Sequence, residues 1–365
     1  MKKILLVLNH FAPYRDDTFD FLRQSGKYQL KFLIKSHSHN HDEWDYQMKN
    51  FDCEVSSKYY GFGKLGVLYK EYPKILKAYK PECVILGGNL IALLYIKLFH
   101  RNIKVIYSSD QIREGYLASK NRFVKGVLTM LYRMADGIWC TGEAGTRYFL
   151  NYVAQNKIRQ GCYTNDCMRI LDNCHSFDRH DERKKMGIFD SDYVFLFVGK
   201  LIPSRHIEKS LEIAKYYRNA NKTVKFLIVG DGPDAPKVEN AANEINSNIC
   251  YIPKLSLKDL ERAYIVSDAY LYMGWEPYSL ALYEACIVGM PVIANGEIGA
   301  TFDCVVNGEN GARIFGDDIK DAIEACENAI RGMYDEGAKK MKKFILEKRG
   351  INWAAEQLME LIEQD

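Results

Sequence analysis

The stretch GWEPYSLALYEACIVGMPVI, residues 274–293, sets two carboxylates, Glu276 and Glu284, on either side of a short apolar run. Pro277 and Ser279 mark a turn with Ser279 as N-cap, and Gly289 with Pro291 ends the pattern, so a helix is predicted over 279–288. Glu276 then falls in the preceding loop, and only Glu284 has its direction fixed by helical geometry. The N–H groups of residues 279–281, Leu280 among them, form the positive end of this helix, where a phosphate or a developing anion is stabilised. In isolation the helix reads equally well as core packing, with Glu284 paired to a buried arginine and Glu276 in solvent.

A second group of residues supplies the charge such a site would need. FLFVGKLIPSRHIEKS ends a strand at Val198-Gly199 and delivers Lys200 and Arg205 in the following loop, where a strand end presents cations to a diphosphate. Two loop cations by themselves are ordinary solvated charge. Gly230-Asp231-Gly232 is a turn in most proteins and a weak phosphate signal. In the first half, Asp110 ends a strand near Arg113 and Glu114, and Arg15 follows the first strand in a loop. Asp110 could touch a transferred sugar or an acceptor, and Arg15 could reach phosphate; a helix cap and a surface ion pair are the equal alternatives. The run SHSHNHD would put His37, His39 and His41 on one face if extended, but following a strand it reads as a solvated loop rather than a metal site.

These residues need a scaffold, and the chain offers two. KILLVL, QLKFLI, ECVILGG, KVIYSS and GIWCTG alternate with helical patterns, the first helix starting at about Thr18. A polar interval over 172–190 reads as a linker. YVFLFVGK, VKFLIVGDGP, NICYIP, AYLYM, PVIAN and ARIF then restart the alternation, and INWAAEQLMELIEQ closes the chain as a helix. The expected fold class is α/β with two doubly wound parallel sheets: an N-terminal domain over 1–175, a second over 176–350, and a helix over 351–365 packing back toward the first. Open parallel sheets bind ligands at the carboxyl ends of their strands, so the expected site is a cleft where two such edges face each other.

Composition narrows the function classes. With 47% hydrophobic and 27% charged residues the chain is that of a folded protein without low-complexity segments. MKKILLVLNH reads as a first strand rather than a leader. The longest uncharged apolar stretch, CVILGGNLIALLYI, has 14 residues, short of the ~20 a spanning helix takes. Ten cysteines without a Cys-x-x-Cys pair favour neither a disulfide framework nor a zinc site, and fit a reducing cytoplasm. Residues 1–175 hold 26 Lys and Arg against 16 Asp and Glu, whereas 176–365 hold 24 against 31. A basic half on a near-neutral protein suggests acidic lipid or a phosphorylated acceptor as its partner, and nucleic acid is disfavoured because no basic and aromatic binding module is present. Lys70, Lys74 and Lys77 share a helical face, and SKNRFVKGVLTMLYRM mixes apolar and basic residues, so either could rest on an anionic membrane.

Together the motifs resemble the retaining glycosyltransferases of family four, whose GT-B architecture has two facing Rossmann-like domains with an interdomain cleft. The resemblance rests on Glu276-Pro277-Tyr278-Ser279-Leu280, Glu284-Ala285 and Gly289-Met290-Pro291-Val292-Ile293, a Glu-x7-Glu motif. Gly199-Lys200-Leu201 with Pro203 and Arg205, Gly230-Asp231-Gly232-Pro233, Gly299-Ala300 and Asn307-Gly308-Glu309-Asn310-Gly311 follow in the family's order. Ala12-Pro13-Tyr14-Arg15, Pro81 to Gly88 and Ser108-Ser109-Asp110 are similar to a subgroup's N-terminal half. The resemblance implies that Lys200 and Arg205 hold a donor diphosphate in place of a metal ion, that Glu284 accepts from ribose hydroxyls, and that Glu276 contacts the donor sugar or diphosphate. Ser279, Leu280 and Gly199 would approach sugar and phosphate. The implied reaction moves a sugar from a UDP- or GDP-sugar to a glycan or lipid-linked acceptor for cell-surface polysaccharide, with no metal or other cofactor and no enzyme nucleophile. The sequence departs from the pattern where Lys200 and Arg205 exchange the usual Arg and Lys, where Ser279 replaces a Gly, and where His206 replaces another. A GT-B epimerase or phosphorylase, or a non-catalytic nucleotide-binding scaffold, are the rival readings.

Overall fold

The structure, a computed structural model, describes all residues except 10, 36–48, 57, 114–120, 221–222 and 365. Its apolar runs form β1 (Lys2–Leu8), β2 (Tyr28–Ile34), β3 (Cys53–Val55), β4 (Tyr59–Gly61), β5 (Val67–Tyr69), β6 (Cys83–Gly87), β7 (Lys104–Ser109), β8 (Gly137–Cys140) and β9 (Ile158–Gln160). Seven of these make one parallel sheet in the order β3-β2-β1-β6-β7-β8-β9, and β4 and β5 pair as a hairpin. Side chains alternate across the sheet: Leu5, Val7, Val84 and Leu86 enter one apolar layer, Ile4, Leu6 and Ile85 the other.

The last helix, Ile351–Glu363, belongs to this first unit, which comprises Met1–Asn165 and Arg349–Asp365. Its Leu358, Leu361 and Ile362 complete the layer that holds Ile4 and Leu6. Lys2 and Tyr28 fix its end through Glu363, at 3.1 Å and 2.9 Å. The helix after β1 is Pro13–Gln24, so it starts before Thr18: Pro13 occupies a first-turn position where its missing N–H costs nothing. Arg15 therefore lies in a helical first turn and not in a loop.

The second unit, Asp166–Lys348, contains β10 (Tyr193–Val198), β11 (Val224–Val229), β12 (Ile249–Ile252), β13 (Ala269–Tyr272), β14 (Val292–Asn295) and β15 (Gly311–Ile314). They form a parallel sheet in the order β12-β11-β10-β13-β14-β15. This is the doubly wound order in which the chain reverses direction of growth between its first and fourth strands. Both units are thus Rossmann-like.

The domain boundary and the linker need correction. The break falls before Asp166 rather than after residue 175, because helix Cys167–His175 packs within the second unit: its Arg169 bonds Glu261 at 3.2 Å. The charged interval 172–190 is not a linker. Helix Arg179–Lys185 lies inside it, capped by Asp178, and Arg183 is buried, donating to the carbonyl oxygens of Val266 and Asp192 and pairing with Asp268 at 2.7 Å. Charges that look solvated in sequence are here satisfied internally.

Candidate active site

In the second unit the residues singled out in sequence gather at the switch between β10 and β13, at the carboxyl ends of both strands. Gly199 continues β10 and is tied to β11 by its N–H to Val229 O at 3.0 Å. Lys200 follows, exposed, and Pro203–Arg205 form a single 3-10 turn. This loop is seated by close backbone approach: a Cβ on Gly274 would lie 2.2 Å from Arg205 O, and Trp275 N–H bonds Ser204 O at 2.9 Å. Only glycine permits that contact.

Arg205 is held from two sides. Its Nη1 donates to Trp275 O at 2.7 Å and its Nη2 pairs with Glu276 Oε2 at 2.9 Å, in a largely buried setting. Its Nε is buried without a hydrogen-bond partner among the described residues. The buried Tyr272 hydroxyl lies beside the pair; burial raises its pKa, the Glu276 carboxylate raises it further, and the Arg205 guanidinium opposes. The sequence did bring Arg205 and Glu276 to one site, but as a pre-formed ion pair, a coupling that no spacing signals.

The predicted helix is present as Leu280–Val288. Ser279 caps it, accepting from Leu282 N–H, yet has φ 79 and ψ 91, a left-handed conformation that L side chains resist. His206, the other departure from glycine, is also left-handed at φ 44. One turn into the helix, Glu284 accepts from Tyr264 Oη at 2.8 Å. Burial pushes the Glu284 carboxyl up to about 7; the Tyr264 bond and Arg169 oppose the rise and Glu261 adds to it. Tyr264, twenty residues earlier on another helix, was not foreseen, because nothing in the chain marks which tyrosine folds onto Glu284.

In the first unit Arg15 and Asp110 line one cavity of about 160 Å³, with Asn9, Tyr14, Gly88 and Tyr163 also on its wall. It opens where β1 and β6 diverge, the same topological position as in the second unit. Asp110 accepts from Tyr163 Oη at 3.1 Å, and Arg15 stacks on Tyr14 at 5.2 Å. Tyr163 was missed: it comes from a segment after β9 without motif or periodicity. Glu114 and the histidines at 37, 39 and 41 lie outside the described residues. Asp190-Ser191-Asp192 has Asp-x-Asp spacing, but it precedes β10, at the other end of the strand from Gly199; Asp190 pairs with His180 and Asp192 accepts from Phe189 N–H.

With this geometry in place, the comparison with known families is direct: residues 178–348 match the family described as Glycosyl transferases group 1. The second unit carries the sequence signature of a glycosyltransferase. The match covers the unit that holds Lys200, Arg205, Glu276 and Glu284. A search of curated proteins gives no match. Among solved structures, the chain is similar over 100% of its length to 99% of the sucrose-phosphate synthase of Thermosynechococcus elongatus, at TM-score 0.73 and 14% identity. It is similar to Anabaena Alr3699/HepE in complex with UDP-glucose, at TM-score 0.72 and 13% identity, over 99% of this chain and all of that one. WaaG, a glycosyltransferase involved in lipopolysaccharide biosynthesis, aligns over 99% of this chain and 100% of its own at TM-score 0.66 and 14% identity. At such identities the likeness establishes the fold alone, the GT-B architecture of two Rossmann-like domains.

Proposed function

We propose that the protein is a retaining, metal-independent glycosyltransferase of the family-four type, with a Glu-x7-Glu motif. It transfers a sugar from a UDP- or GDP-sugar to a glycan or lipid-linked acceptor during assembly of cell-surface polysaccharide. The observation that carries the reading is the Arg205–Glu276 pair at the β10–β13 switch, beside the amino end of helix Leu280–Val288.

Breaking a sugar–diphosphate bond places positive charge on the anomeric carbon and negative charge on the departing phosphate. Arg205, already oriented by Trp275 and Glu276, and Lys200 would face that phosphate, assisted by the N–H groups of Ser279 and Leu280. Two such cations do the work that a metal would otherwise do, so activity should persist in a chelator. Glu284, in its ionised form, would accept from both ribose hydroxyls. Glu276 would contact the donor sugar while holding the guanidinium. The leaving phosphate would help take the acceptor proton as the acceptor attacks from the same face. Arg15 and Asp110 would hold the acceptor or its phosphate in the first unit.

UDP is the favoured donor nucleotide on the likeness to a UDP-glucose complex, and a cell-surface product on the likeness to a lipopolysaccharide enzyme. We further assign the chain to the cytoplasmic side, peripheral on anionic membrane through its basic half. No helix among the described residues is long and apolar enough to cross a membrane. Helix Arg122–Met134 instead exposes Phe123 and Met130 beside Arg122 and Lys125.

The test is calorimetric titration of UDP and GDP, followed by assay with UDP- and GDP-sugars in chelator and assignment of the product's anomeric configuration by NMR. Binding of neither nucleotide refutes the transferase site, sugar turnover without net transfer indicates an epimerase, and an inverted product refutes retention. Flotation without preference for anionic liposomes refutes the membrane assignment.

A further inference from the structure

The second unit has a larger cavity that the donor site does not use, about 530 Å³, at the amino ends of its strands. Tyr193 opens β10, Asp268 precedes β13 and Pro291 precedes β14, and all three line it. The donor residues stand at the opposite, carboxyl ends. Helix Leu280–Val288 connects the two edges: Ser279 caps its start in the donor site, and Val288 at its other end lines the cavity.

We infer that this cavity binds a small amphiphilic anion, an apolar body with a phosphate, sulfonate or carboxylate head, and that its occupancy sets the affinity of the donor site through Tyr264. Its size is that of a small-molecule pocket. Phe177, Val288, Met290 and Pro291 give it an apolar floor. His175, Arg179, Lys339 and Lys342 face it against two carboxylates, Asp268 and Asp335. Asp268 is already held by Arg179 and Arg183, at 2.6 Å and 2.7 Å, and Lys339 is paired with Glu336. Lys342 makes no ion pair among the described residues, and the buried Tyr193 hydroxyl has no hydrogen-bond partner among them. A cation and a hydroxyl donor thus stand over an apolar floor, and an acidic head group on an apolar body satisfies both.

Besides that helix, one side chain links the cavity to the donor site. Tyr264 lines the cavity and its hydroxyl donates to Glu284 at 2.8 Å. A ligand that shifts the ring alters the bond that helps keep Glu284 ionised, and with it the acceptor offered to ribose. Coupling of this kind is reciprocal in binding free energy. The coupling, though not the cavity site, rests on the proposed role of Glu284.

The experiment uses 1-anilinonaphthalene-8-sulfonate, an aromatic body with one anionic head, titrated into the full chain by fluorescence and calorimetry. One probe should bind per chain with saturating UDP or GDP present. Lys342→Glu should weaken it about tenfold or more through loss of the charged contact, and Met290→Trp, which fills the floor, should do likewise. Occupancy should shift nucleotide Kd about fivefold or more, and Tyr264→Phe should abolish that shift while the probe still binds. Competitive displacement by nucleotide, or binding indifferent to both Lys342→Glu and Met290→Trp, overturns the site. An unchanged nucleotide Kd overturns the coupling. A chain that binds the probe through Lys342 but no nucleotide refutes the donor reading and the coupling together, and supports the cavity as a site.

Discussion

The two sheets place their candidate residues at the same topological position and build it by different means. In the second unit the candidate residues come from two short continuous segments, 199–206 and 274–284, and three of them are partnered before any ligand arrives: Arg205 with Glu276, and Glu284 with Tyr264 of a neighbouring helix. In the first unit, Arg15 comes from a helical turn, Asp110 from the end of β7 and Tyr163 from a segment after β9. On the proposed donor role, the first construction would fix geometry for a part of the substrate that every donor shares, a diphosphate and a ribose. The second leaves each wall free to vary on its own, which would suit the proposed recognition of acceptors.

The hardest test of this contrast is Arg205→Ala. Removing a pre-oriented donor to the leaving group should lower kcat/KM by about 100- to 1000-fold and weaken UDP binding. It also strands Glu276 in a mostly buried position, so Tm should fall. Arg205→Ala with Glu276→Gln should recover Tm but not turnover; recovery of turnover in the double variant would mean that the pair is a structural clamp.

Glu284 tests the same site by pH. Its folded pKa of about 7 stands above the ordinary carboxyl value of 4.5, so its contribution to stability is full below about 4.5 and is lost as pH rises through 7. Glu284→Gln should therefore raise Tm relative to wild type above pH 7. On the proposed role, ribose hydroxyls would donate to the carboxylate, so UDP affinity should fall as pH drops below 7, by about tenfold per unit at the limit. In Glu284→Gln the affinity should be weaker and flat with pH. A pH-independent wild type would remove Glu284 from the ribose.

For the first unit the expected effect is smaller and confined to the other substrate. Asp110→Asn should raise the acceptor KM or lower kcat by roughly tenfold, the scale of one charge-assisted hydrogen bond, with UDP Kd unchanged by calorimetry. A change in UDP Kd would make Asp110 part of the donor site and erase the contrast.

That contrast also explains what was legible in the sequence. Strands such as YVFLFV and VKFLIV announce themselves because parallel strands are buried on both faces. Helix Leu280–Val288 was readable from its Ser279 start and Gly289 stop. What escaped was everything set by tertiary pairing. Arg183 looked solvated because its carbonyl partners come from residues 189–192 and 266. Tyr264 and Tyr163 carry no local signal, since their partners Glu284 and Asp110 are 20 and 53 positions away. Arg15 reads as a loop residue when the first helix is started at Thr18, whereas Pro13 opens that helix.

The smallest effect concerns Ser279, where the chain departs from glycine. At φ 79 a serine holds a backbone conformation that glycine adopts without cost, while its hydroxyl caps Leu282 at 3.4 Å, a long bond. Removing such strain is worth about 1 kcal/mol or more, and replacing a serine cap by glycine costs a few tenths. Ser279→Gly should therefore raise Tm by a few degrees. If the serine is retained only because its side chain touches the donor, the stabilised variant should lose sugar-donor affinity while keeping affinity for the nucleotide alone, since the phosphate would still meet the same backbone N–H groups. Unchanged affinity for both, with a higher Tm, would show that Ser279 contributes only its backbone to the site.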